Sequence, residues 1–69
     1  MAESLLKNIM EESIQLELKI AELYKLFIRT FPKDAYFWWE LSEEEKNHAA
    51  RILAYMETNN IPVQKQVMI

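Results

Sequence analysis

Glu45 and His48 stand three residues apart in a stretch that reads as a helix, and both project onto its apolar face. Glu17 projects onto the apolar face of the helix before it. A carboxylate among core positions is costly to bury without a partner, so this placement calls for something that neutralises it. A metal cation is the simplest candidate. Residues three apart on a helix are neighbours, so Glu45 and His48 can offer ligands to one ion. Carboxylate together with imidazole suits iron, manganese or zinc, and hard oxygen donors favour iron that passes to Fe(III).

The elements that must position these groups are legible in composition. The chain has 69 residues, no glycine and two prolines, and about half of it is hydrophobic. Such a composition predicts a single, almost wholly helical unit over residues 1–69. There is no cysteine, which excludes disulfides, thiolate zinc sites and four-cysteine iron centres. Net charge is −3 and the basic residues are scattered, which argues against nucleic acid as the main partner. No charge-free stretch approaches a membrane span, and the N-terminus does not read as a secretory leader. The expectation is a cytoplasmic protein with neither a membrane nor a nucleic-acid partner.

Helix one is expected from about residue 4, capped by Ser4, to about residue 30. Projected at roughly 100° per residue, Leu6, Ile9, Met10, Ser13, Glu17, Ile20, Ala21, Tyr24, Phe27 and Ile28 share one broad face. Lys7, Glu11, Gln15, Lys19, Glu22 and Arg29 project to the other side. Glu17 is the acidic residue in the body of this helix that falls well inside the apolar arc, whereas a solvated glutamate is expected to sit like Glu22. Phe31-Pro32-Lys33 breaks the chain, because proline cannot continue a helix but can start one.

Helix two is expected over about 32–58, antiparallel to helix one across so short a linker. Phe37, Trp38, Leu41, Glu45, His48, Ile52, Tyr55 and Met56 share its face. Glu40 and Glu43 point away, Glu44 lies at the edge and Lys46 outside. Asn59-Asn60-Ile61-Pro62 ends the helix, since asparagine tolerates a left-handed cap. The remainder of the tail over 59–69 is too short for a domain and is expected to dock on a neighbouring subunit. A second apolar band, Leu18, Leu26, Trp39, Leu53 and Ala54, lies off the inner faces and reads as further interface.

One chain supplies three candidate ligands, Glu17, Glu45 and His48. Two chains related by a two-fold axis supply four carboxylates and two imidazoles, the ligand set of a four-helix di-iron carboxylate bundle. The expected architecture is therefore all-α: an antiparallel two-helix hairpin that dimerises into a ferritin-like four-helix bundle, with two irons per dimer at the subunit interface.

Glu17 and Tyr24 at their spacing, followed by Trp38, Leu41, Glu45-Lys46 and His48-Ala49, resemble the ferritin-like superfamily of the rubrerythrin type. The short two-helix form is most similar to encapsulated ferritins, and the resemblance covers roughly residues 13–56. It implies that Glu17, Glu45 and His48 hold metal and act in catalysis, and that Tyr24 hydrogen-bonds near the centre. It also implies ferroxidase activity, the oxidation of Fe(II) by dioxygen or peroxide in iron storage or detoxification. Homo-oligomers, a dimer at least and by extension a ring of dimers, would work inside an encapsulating shell protein, a nanocompartment. The sequence departs from that pattern in two places. Leu16 and Lys19 flank Glu17 where encapsulated ferritins carry acidic residues, and residues 64–69 do not match a shell-docking peptide. Two other readings stand beside this one. The first is a non-catalytic helical assembly or docking module with Glu17, Glu45 and His48 as an ion network. The second is a ferritin-like bundle holding manganese or zinc structurally.

Overall fold

The computed structural model describes residues 2–63, with side chains described for 4–63. Of the expected docking tail over 63–69, Val63 packs against the core of its own hairpin, and 64–69 lies outside the described residues. Two helices form an antiparallel hairpin, α1 over Ala2–Thr30 and α2 over Ala35–Thr58, joined by a single 3-10 turn at Pro32–Asp34. Among the described residues there is no strand. None of the described helices is long and apolar enough to cross a membrane.

The boundaries follow local chemistry. Helix α1 starts ahead of the expected Ser4 cap, because Ala2 and Glu3 are competent helix formers and nothing interrupts them. Pro32 does begin a helical segment, but of 3-10 type, so the α-helix proper starts at Ala35 and not at residue 32. Phe31 ahead of it leaves the helical region at φ −125° and ψ 70°, because the following proline disfavours the α conformation there. The far end matches the expectation. Asn60 takes the left-handed conformation at φ 57°, and the Ile61 N–H donates back to the Met56 carbonyl at 2.8 Å. The Asn60 N–H reaches the Glu57 carbonyl at 3.2 Å, which completes a double-bonded helix stop.

The line of contact between the helices departs from the projected faces. Ile14, Ala21, Ser42, Ala49 and Met56 are buried, with Met10, Leu18, Ile52, Leu53, Ile61 and Val63 packed against the Ile14–Ala49–Met56 cluster. On α1 the seam follows Lys7, Glu11, Ile14, Leu18, Ala21, Lys25 and Ile28, alternating steps of four and three that keep one stripe facing a neighbour. Small residues at Ala21, Ser42 and Ala49 allow close approach, and the Ser42 hydroxyl donates to the Ala21 carbonyl across it at 3.1 Å.

Three expectations are corrected here. Glu11, projected to the solvent side, is 2 % exposed and pairs with Lys7 at 3.1 Å. Leu18 and Leu53, read as outer interface, pack in the core. Leu6, Ile9, Phe37 and Tyr55, read as inner face, stay exposed. The cause is common to all three. The apolar arc of α1 is wider than one partner helix can cover, and α2 packs against its edge rather than its middle.

The hairpin therefore has two unlike broad faces. One bears Glu17, Ile20, Tyr24, Phe27, Phe37, Leu41, His48 and Ile52 by projection. The other carries ion pairs, Lys25 with Glu22 at 3.3 Å and Lys46 with Glu43 at 3.5 Å.

Candidate metal centre

Glu17 comes from the middle of α1, and Glu45 and His48 come from one turn of α2. Glu17 and His48 each lie one position off the seam. Glu17 precedes Leu18, and His48 precedes the buried Ala49, so the close approach at Ala49 draws the two helices' polar groups together. His48 Nδ1 lies 3.4 Å from Glu17 Oε2 and 3.8 Å from Glu45 Oε2. One ligand atom from each of the three residues lies within 4.8 Å of the others. All three expected ligands are thus brought to one place.

The burial is graded. The side chain of Glu45 is 18 % exposed, that of Glu17 25 % and that of His48 50 %. The carboxylates are sheltered between the helices while the imidazole looks out from the apolar face. Two carboxylates and an imidazole are a donor set suited to a divalent cation of the iron, manganese or zinc kind. The contacts within the set are longer than strong hydrogen bonds, so the carboxylate oxygens are not fully taken up by His48. Three donors leave coordination positions open on the exposed side, toward solvent or a second molecule.

An aromatic cluster lies about two helical turns below, toward the hairpin turn. Tyr24 stacks on Trp38 with centroids 5.9 Å apart, and Trp38 also packs edge-on against Phe27 at 4.8 Å and Phe37 at 4.9 Å. Among the described residues no hydrogen bond joins Tyr24 to Glu17, Glu45 or His48, so its contribution here is packing. Among the described residues the buried Trp38 indole Nε1 has no hydrogen-bond partner. Glu44, at the edge of the face, is exposed and stands outside the ligand group.

Sequence reasoning missed Ser42 and Ala49, which set how closely the two halves of the centre approach. Their signal is the run of small residues at seam spacing, Ser42 and Ala49 facing Ala21. Compared with protein-family models, curated proteins and solved structures, the chain has no match.

Proposed function

We propose that this chain binds iron through Glu17, Glu45 and His48 and oxidises Fe(II), with the centre completed by a second copy in a ferritin-like four-helix bundle. The observation that carries this reading is the convergence of three ligand atoms from two helices within 4.8 Å, on the apolar side of the hairpin.

Two features support pairing through that side. Among the described residues the fully buried apolar side chains are Ile14, Ala21, Ala49 and Met56, a very small core for a chain of this size. The metal-bearing face also exposes Leu6 and Phe37, while the opposite one carries two ion pairs beside the stacked, exposed Tyr36 and Trp39. A two-fold copy laid on this face brings its own Glu17, Glu45 and His48 opposite the first set, and cations then relieve the repulsion among four carboxylates.

Fe(II) is the substrate. Two Fe(II) ions lose one electron each to dioxygen, which leaves with two protons as hydrogen peroxide. The chain's own part is to hold the ions. Glu17 and Glu45 supply charge that favours the higher oxidation state, and His48 presents Nδ1 beside them. Ile20, Leu41 and Ile52 limit water at the covered face. By this reading the protein serves iron storage or detoxification, and a shell compartment would be its setting.

The same 3.4 Å contact between His48 and Glu17 favours a second reading, in which the three side chains form an ion network inside a non-catalytic assembly module. A structural manganese or zinc ion is its metal-bound variant. Anaerobic loading with Fe(II) followed by oxygen-consumption measurements separates the three. Uptake of oxygen that is lost in His48→Ala supports the ferroxidase. Bound metal without oxygen uptake supports the structural ion, and no bound metal supports the network.

A further inference from the structure

Helix α1 carries a second heptad stripe on the side away from α2. Leu5, Ile9, Glu12, Leu16, Lys19, Leu23 and Leu26 follow alternating steps of four and three, the spacing that keeps one stripe facing a neighbouring helix. All seven are exposed, Leu5 at 62 % and Leu16 at 57 %. Asn8, Ile9, Glu12, Ser13 and Leu16 line a shallow depression along it, of the kind a side chain from a facing helix fills. Glu17 and Ile20, on the metal-bearing face, lie about a quarter-turn away, so this stripe is a different surface from the one that closes the metal centre.

We infer that this stripe is an isologous interface in which α1 pairs antiparallel with α1 of a second copy. The order of the row argues for that occupant. Read from either end it runs apolar, apolar, charged, apolar, charged, apolar, apolar, with Leu16 at its middle. The two charges are opposite in sign and equidistant, to within a residue, from the centre. Antiparallel pairing about Leu16 sets Glu12 beside Lys19 of the second copy and Lys19 beside its Glu12. The leucines and Ile9 face their own kind. Parallel pairing would set Glu12 against Glu12 and Lys19 against Lys19, which is repulsive. An unrelated partner or a lipid surface would require no such symmetry, and a lipid-facing stripe is disfavoured by Glu12 near its middle. With two distinct self-associating surfaces on one chain, the assembly grows beyond the dimer that the metal centre requires.

The test uses the full chain in chelator, so that association through the metal is set aside, with mass read by sedimentation equilibrium. The wild type is expected to associate, and Leu16→Glu to weaken that association by at least tenfold with unchanged helical circular dichroism. Glu12→Lys and Lys19→Glu are each expected to weaken it by about tenfold, since each reversal alters two symmetry-related contacts. The double reversal restores it, because antiparallel pairing again opposes unlike charges. A wild type that is monomeric in chelator would overturn the inference. So would a Leu16→Glu variant of unchanged mass, or a double reversal weaker than either single one. His48→Ala in the same experiment separates this interface from the metal reading. It is expected to retain the chelator-resistant association and lose only bound metal.

Discussion

Glu17 on α1 and His48 on α2 meet across the hairpin at 3.4 Å, although 31 residues of chain separate them. Each sits next to a core residue, Leu18 and Ala49 respectively, so the packing of the seam sets the geometry of the polar cluster. Under the proposed function, metal binding, helix packing and association are linked, and each linkage can be tested separately.

Removing a donor tests the cluster itself. His48→Ala and Glu45→Ala are expected to lower Fe(II) affinity by at least a hundredfold, the upper range for losing even an orienting neighbour of a ligand. Because neither side chain belongs to the buried core, helical content should stay close to that of the wild type. Metal titration beside circular dichroism checks both. Retained iron occupancy in either variant would remove that residue from the centre.

Widening the seam tests the dependence of the centre on close approach. Ala21 is 2 % exposed, and its carbonyl accepts the Ser42 hydroxyl. Ala21→Leu should overpack this layer and destabilise the hairpin by about 1–3 kcal/mol. It should also weaken metal binding, although residue 21 carries no ligand atom. Denaturant melts give the first quantity and metal titration the second. Unchanged affinity in a destabilised variant would mean that the cluster tolerates helix separation.

The helix count, the break at Phe31-Pro32 and the left-handed stop at Asn60 are legible in the sequence, because proline and asparagine act locally and glycine is absent. The convergence of Glu17, Glu45 and His48 is legible too, since all three interrupt apolar arcs where a solvated residue has no reason to sit. The seam is not. Helical projection finds the middle of an apolar arc, near Tyr24 and Glu17, while α2 packs at its edge on Ile14 and Ala21. Hydrophobicity does not mark Ser42 or Ala49 either, because close approach is set by small size. Glu11 is buried beside Lys7 for the same reason, a polar pair on a seam that amphipathicity alone would place elsewhere.

Metal should also act as a ligand of the folded, associated state. If ions bind the assembled centre and not the unfolded chain, free Fe(II) at a hundred times its dissociation constant adds about 2.7 kcal/mol of stability. Thermal melts under anaerobic conditions should therefore shift upward with Fe(II) and return with chelator. A melting temperature indifferent to Fe(II) would favour the ion-network reading.

Tyr36 offers a check on the solution structure of the turn end. The Glu40 carboxylate one turn along α2 favours the neutral phenol that can donate to it and repels the phenolate, which raises the Tyr36 pKa above the ordinary 10.0. A raised value means that the interaction is present below the ordinary phenol range and lost as pH rises through the raised one. A phenolate absorbance titration, taken as the difference from Tyr36→Phe, should place Tyr36 above 10.0 and return it toward that value in Glu40→Gln. A Tyr36 that titrates normally in the wild type would mean the contact does not persist in solution.

The central claim is most directly tested by metal content per chain on protein loaded anaerobically with Fe(II) and separated by size, alongside His48→Ala. The account predicts about one iron per chain, two per dimer as in a di-iron bundle, in a dimer or larger assembly, and its loss in the variant. Absence of bound iron in the wild type would contradict it, as would equal iron in the wild type and in His48→Ala.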